Sequence, residues 1–127
     1  MSEPTKKLRV LVVDDELLIL GVFRRMLGRD YDVLTAASAE QGLALLEAEQ
    51  CDVVISDTNL GAGMRGPKFL GLVRNRWPAM ARVIMSGGDQ AVAYAAREDG
   101  LAHVFLPKPW GPNGIQEAIV TARAKAE

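Results

Sequence analysis

The chain has 127 residues, enough for one domain that buries roughly two thirds of its unfolded surface without disulfides or structural metals. Fifteen Lys and Arg against 16 Asp and Glu leave a formal charge of −1, which gives no electrostatic reason to expect direct binding to nucleic acid or to an anionic membrane. A single cysteine, Cys51, excludes an intrachain disulfide and, beside an apolar run, reads as a small buried hydrophobe in a reducing compartment. No apolar stretch nears the roughly 20 residues that span a bilayer, and the polar start 1–7 lacks a signal-peptide core, so a cytoplasmic protein is expected.

The first strand is predicted over 8–13. Leu17, Leu18, Leu20, Val22, Phe23, Met26 and Leu27 follow at spacings near 3.6 and predict a helix ending around Gly28. Residues 31–37 read as the second strand. Ser38, followed by Glu40 and Gln41, has the pattern of an N-cap, and Leu43, Leu45, Leu46 and Ala48 give the next helix its apolar stripe. The third strand is 53–57. A glycine-rich loop, 60–66, leads into a helix over about 67–77, where Pro67 suits the first turn and Pro78 explains the stop. The fourth strand is 82–86. Gly87, Gly88 and Asp89 open a short alanine-rich helix over 90–98 that ends at Gly100; then come a fifth strand, 103–106, and a last helix from about Asn113. No linker, low-complexity tract or repeat divides this series, so a single domain over 1–127, with its core at about 8–124, is expected.

Strands alternating with helices of ten to fifteen residues argue for βαβ units, whose right-handed crossovers give a parallel sheet covered on both faces. The predicted class is α/β, a three-layer α/β/α arrangement with five parallel strands. Strands one, three, four and five end in polar residues, while strand two ends in Ala36, Ala37 and Ser38, which suits the flavodoxin-like order 2-1-3-4-5 with strand two at the far edge. Pro107 agrees, because a residue without a backbone N–H belongs on or near an edge strand.

The strand ends carry the chemistry. Asp14 and Asp15 follow the first apolar run, Asp57 the third, Ser86 the fourth and Lys108 the fifth. Parallel sheets place their sites just beyond the carboxyl ends of the strands, so three acids, a hydroxyl and an amine converge on one rim. Three crowded carboxylates repel one another unless a cation sits among them, and hard oxygen donors of this kind suit Mg²⁺. Magnesium accepts few carboxylates and leaves room for a phosphate ligand, whose remaining oxygens Lys108 and Ser86 are equipped to meet. An aspartate in this setting is a candidate nucleophile that forms an aspartyl phosphate.

These residues, with Gly87 after Ser86 and Phe105 ahead of Lys108 and Pro109, resemble the receiver (REC) domain of two-component system response regulators, the CheY-like fold, over essentially the whole chain. The resemblance implies that Asp57 is the phospho-acceptor. It implies Mg²⁺ (or Mn²⁺) held by Asp15, Asp57 and the backbone carbonyl of Asn59, with Asp14 acting mainly through a metal-bound water. Ser86 and Lys108 would bind the phosphoryl group, and Ser86 with Phe105 would form the switch. Implied partners are a sensor histidine kinase or histidine phosphotransfer protein and a downstream output domain or target, with a homodimer possible through the fourth helix, fifth strand and last helix. The domain would catalyse only its own aspartyl phosphorylation and dephosphorylation, so no enzyme in the ordinary sense is expected. Two departures stand out: Ser86 and Phe105 stand where Thr and Tyr are more frequent, and the loop from Asp57 to Gly66 lacks the usual proline and is one residue longer. Trp110 is similar to the residue at this place in receivers attached to cyclic-dinucleotide phosphodiesterases.

Each residue also has an ordinary role open to it: Asp14, Asp15 and Glu16 favour the positive end of a helix, Asp57 and Ser86 start turns, and Lys108 is a solvated charge. Singly these roles suffice; jointly they need four coincidences. Two other functions fit less well. A receiver-like interaction module working without phosphorylation is favoured by the longer loop. A Mg-dependent aspartyl-phosphate phosphohydrolase resembling Asp-x-Asp enzymes would need an acid at residue 59, where Asn59 stands. His103 has no second histidine or cysteine cluster with which to share a metal, and Trp77 and Tyr94 read as packing or surface aromatics.

Overall fold

The computed structural model describes residues 7–88, 90–111 and 113–127. Most of the polar start, and Asp89 at the opening of the fourth helix, lie outside the described residues. Ten elements alternate: β1 (Arg9–Val13), α1 (Leu17–Leu27), β2 (Asp32–Ala36), α2 (Ala39–Ala48), β3 (Val53–Asp57), α3 (Gly66–Arg76), β4 (Ala81–Ser86), α4 (Gln90–Glu98), β5 (Val104–Pro107) and α5 (Gly114–Ala126). All four strand pairings are parallel and the order is β2-β1-β3-β4-β5, the predicted topology.

The strands read as unbroken apolar runs because both of their faces are covered. Leu11, Val13, Val54 and Ile84 join Phe69, Leu70, Val73 and Ala93 in one buried cluster, on the side of α2, α3 and α4. Their neighbours Val10, Val12, Val53, Ile55, Val83 and Met85 face the other way and meet Phe23, Leu27, Ile115 and Ile119 of α1 and α5. Cys51 is buried in the first cluster, where burial pushes its thiol up to about 11, so it acts as a small hydrophobe.

Ser38 caps α2 as expected: its Oγ accepts from the Gln41 N–H at 3.1 Å, while Gln41 Oε1 accepts from the Ala37 N–H at 2.9 Å. Two expectations need correction. Of the residues whose spacing predicts α1, Leu17 and Leu18 do not reach the core: they stand 71 % and 84 % exposed, while Leu20, Phe23 and Leu27 are buried there and Ile19 packs beside them. The fifth strand lies one residue later than predicted, at Val104–Pro107, with Pro107 opposite Ser86. Among the described residues β5 pairs with β4 alone, so Pro107 leaves no ladder bond unmade on its open side.

Candidate functional site

Asp14 follows β1 and is wholly buried. Its N–H donates to the Ala36 carbonyl at 3.1 Å, which carries the β1–β2 ladder one step past the strand and fixes the side chain at the rim. Asp14 Oδ1 accepts from the Glu16 N–H at 2.9 Å, turning the chain into α1, and Oδ2 accepts from Lys108 Nζ at 3.2 Å. Lys108 is placed in the same way from the other side of the sheet, since its N–H donates to the Ser86 carbonyl at 2.9 Å. Its Nζ also stands 3.6 Å from Asp57 Oδ1, bridging two acids. The Lys108–Pro109 peptide is cis.

Asp57 ends β3, opposite Met85, and is buried. The Thr58 N–H donates to Asp57 Oδ1 at 3.0 Å. Among the described residues both polar contacts of the Asp57 carboxylate therefore fall on Oδ1, and Oδ2 is left unshared. Burial, and then the Asp14 carboxylate, push Asp57 up to about 6, against the pull of Lys108 and the Thr58 N–H. Burial also raises Asp14, opposed by the Glu16 N–H and by Lys108. Asp15 is exposed on the outer side. Carboxylate oxygens of Asp14, Asp15 and Asp57 lie within 4.8 Å of one another, an all-oxygen set that could hold a metal ion.

Ser86 is 1 % exposed, and its Oγ has no hydrogen-bond partner among the described residues. A buried hydroxyl left this way costs free energy unless something at the site meets it. Phe105, opposite Ile84 on β5, is half-buried and packs against the α2–α4 side of the core. The sequence-predicted rim residues Asp14, Asp15, Asp57, Ser86 and Lys108 are thus brought together at the carboxyl ends of the strands. Asn59 is exposed, and its Oδ1 accepts from the Gly61 N–H at 3.2 Å, opening the loop with a side-chain turn.

Three residues at work in the fold were not singled out in the sequence. Thr58 supplies the N–H that fixes Asp57. Glu40, read only as part of a helix cap, reaches across to the loop after Asp57, where its Oε2 accepts from the Met64 N–H at 3.3 Å. Arg82 is buried at the far end of the sheet and donates to the carbonyls of Leu101, Gly100 and Met80 at 2.8, 3.2 and 3.3 Å. His103 Nδ1 accepts from the Arg82 N–H at 3.0 Å, and burial with the nearby guanidinium lowers its pKa. Nothing in spacing or composition signals the Glu40–Met64 and Arg82–His103 contacts, which join residues 24 and 21 positions apart. Trp77 lies against the core with Arg76 stacked 4.5 Å over its ring, and Tyr94 is exposed under Arg97 at 4.4 Å. Two surface clefts of about 860 and 770 Å³ lie at the amino ends of the strands, away from the rim.

Residues 10–120 match the response regulator receiver domain. Over 116 residues the chain is 34 % identical to the hydrogenase transcriptional regulatory protein HoxA of Cupriavidus necator, covering 90 % of this chain and 24 % of that protein. It is 37 % identical over 116 residues to the alginate biosynthesis transcriptional regulatory protein AlgB of Pseudomonas aeruginosa, covering 89 % of this chain and 25 % of that protein. The chain spans about a quarter of the length of these curated relatives. The crystal structure of a response regulator receiver domain protein from Clostridium thermocellum superposes with a TM-score of 0.83 at 34 % identity, covering 93 % of this chain and 95 % of that one. The signal receiver domain of an HD domain-containing protein from Pseudomonas fluorescens superposes with a TM-score of 0.86 at 27 % identity, covering 99 % and 93 %. With its sheet order, its acidic rim and these matches in agreement, the chain belongs to the response regulator receiver domain family of two-component systems.

Proposed function

We propose that the domain, one receiver unit over about 8–124, accepts a phosphoryl group on Asp57 from the phosphohistidine of a sensor kinase or phosphotransfer protein. The observation that carries the reading is the Asp57 carboxylate, held through Oδ1 beside Lys108 with Oδ2 left over, next to a buried hydroxyl that has no partner among the described residues. Asp57 Oδ2 attacks phosphorus; the new O–P bond forms as the P–N bond to the donor imidazole breaks, its electron pair returning to the ring nitrogen. Asp57 must be ionised to do this, and Lys108 favours that state. Afterwards Lys108 Nζ, freed from its share of the Asp57 charge, pairs with a phosphoryl oxygen, and Ser86 Oγ donates to another. The oxygen-only donor set fits Mg²⁺ or Mn²⁺, held by Asp14, Asp15, Asp57 and the Asn59 carbonyl; when bound, the ion supplies positive charge that offsets the phosphoryl oxygens.

The receiver family is not in itself a catalytic one, and the domain's chemistry ends with its own phosphorylation and dephosphorylation. The new group adds about −1.5 to −2 charge, drawing Ser86 and the Gly87–Gly88 segment inward and letting Phe105 settle into the space released. The surface of α4, β5 and α5 then differs between states and serves as the contact for an output domain, a target or a second copy. No helix among the described residues is long and apolar enough to cross a membrane, in keeping with this role. The test is intact mass after incubation with phosphoramidate and Mg²⁺, in parent and Asp57→Asn. Gain of one phosphoryl group by the parent alone is expected; equal behaviour of the two overturns the assignment.

A further inference from the structure

We infer that Glu40 is a positioning residue for the acidic site, acting through the loop that follows Asp57; the inference rests on the phospho-acceptor reading above. The loop is longer by one residue than the family pattern and lacks its proline, so something else must hold it. At its base the Gly66 N–H donates to the Thr58 carbonyl at 3.0 Å, and Leu60 is buried. Between these anchors Gly61, Ala62 and Gly63 are all exposed, and both glycines take positive φ, 76° and 97°. Three exposed residues, two of them glycine, carry a large conformational entropy and little packing to oppose it.

Glu40 meets this apex from the first turn of α2. Its Oε2 accepts from the Met64 N–H at 3.3 Å, and both carboxylate oxygens lie 3.4–3.5 Å from where a Cβ on Gly63 would stand. The other side of the apex touches the site itself: a Cβ on Gly61 would come within 2.9 Å of Asp15 Oδ2. Glu40 therefore presses the loop against Asp15 and sets the path of Asn59, whose backbone carbonyl is the fourth proposed metal donor. Gln41, not Glu40, completes the helix cap, so the Glu40 side chain is free for this task.

The experiment compares parent, Glu40→Ala and Glu40→Gln in three readouts. These are the Mg²⁺ concentration for half-maximal phosphorylation by phosphoramidate, Mg²⁺ binding by calorimetry, and exchange of the Met64 amide hydrogen by NMR. Glu40→Ala is expected to raise the half-maximal Mg²⁺ about three- to tenfold and to speed Met64 exchange, with the metal-free melting midpoint nearly unchanged. Glu40→Gln, whose amide oxygen still accepts from Met64, is expected within about twofold of the parent. If Glu40→Gln behaves like Glu40→Ala, the carboxylate acts by charge and the positioning role is wrong. An unchanged Mg²⁺ response in Glu40→Ala refutes it as well. Should the parent itself take no phosphoryl group, the Asp57 reading fails, and calorimetry with amide exchange still decides the role of Glu40 in the loop and its metal site.

Discussion

Replacing Asp57 by Asn in metal-free buffer should stabilise the protein near neutral pH. Moving a carboxyl from 3.8 to about 6 on folding amounts to about 3 kcal/mol of disfavour for its ionised form. Because the folded-state value lies above the unfolded one, the native state holds an extra proton between these values. Its contribution to stability is fully present below about pH 4 and is lost as pH rises through about 6. At about pH 7.5 the parent therefore carries the whole penalty, which Asn, an uncharged isostere, does not. Part of the gain is returned, since Asn attracts Lys108 less, 3.6 Å away, leaving a net of about 2 kcal/mol. With a urea slope of about 2 kcal/mol per molar, the denaturation midpoint of Asp57→Asn should lie about 1 M above that of the parent. The gap should shrink as the pH falls toward about 4, and saturating Mg²⁺ should narrow it at neutral pH by stabilising the parent, with its full donor set, more than the variant. An Asn variant no more stable than the parent at about pH 7.5, or a gap independent of pH, refutes the picture of Asp57 as an electrostatically strained group.

Ser86→Ala removes a buried hydroxyl that has no partner among the described residues, so its urea midpoint should match or exceed the parent's while phosphoryl uptake slows by about tenfold. Arg82→Met should cost about 2–4 kcal/mol in urea, because the carbonyls of Leu101, Gly100 and Met80 lose a shared donor. Mg²⁺ binding should survive that change wherever enough protein stays folded to measure it. His103 is the only histidine, so its ring protons give one unambiguous NMR titration, expected below the ordinary value of about 6.5. Its folded-state value being lowered, the stability it protects is present above about 6.5 and declines as pH falls toward the folded-state value; a midpoint above about 6.5 refutes the arrangement with Arg82.

The fold was legible where one physical cause leaves one mark. A strand covered on both faces must be apolar throughout, so 10–13, 53–55 and 83–85 announced themselves, and their alternation into two buried clusters followed from the pleat. The rim was legible because parallel strands end together: a polar residue at each carboxyl end had nowhere else to go. Helical periodicity, by contrast, says which side of α1 faces inward but not how far the sheet extends beneath it, and so the exposure of Leu17 and Leu18 was not legible. The β5 boundary slipped because the ladder there is decided by the partner strand; the His103 N–H already donates to Arg82 O at 2.9 Å before the strand proper begins. Glu40 and Arg82 were hidden for the same reason, their partners being distant in sequence and their residue types ordinary on a surface.

The two ends of the sheet are built on opposite terms. At the amino ends polar groups are generously met: buried Arg82 takes three carbonyls, and Arg9 holds Asp32 at 2.8 Å and Glu49 at 2.7 Å while its N–H reaches Asp52 at 2.8 Å. At the carboxyl ends two buried acids share one lysine, and a buried hydroxyl is unmet among the described residues. A module whose surface must change with a single added group needs one end that does not move and one end whose free energy an incoming group can lower. Arg82 also ties the Gly100–Leu101 turn at the carboxyl end of α4, while Gly87 and Gly88 precede its amino end. On this division phosphorylation is expected to swing the amino end of α4, near Ser86, about a fixed carboxyl end. Amide exchange on phosphorylation should then change at 86–92 and stay constant at 99–102, and the reverse pattern would rule that pivot out.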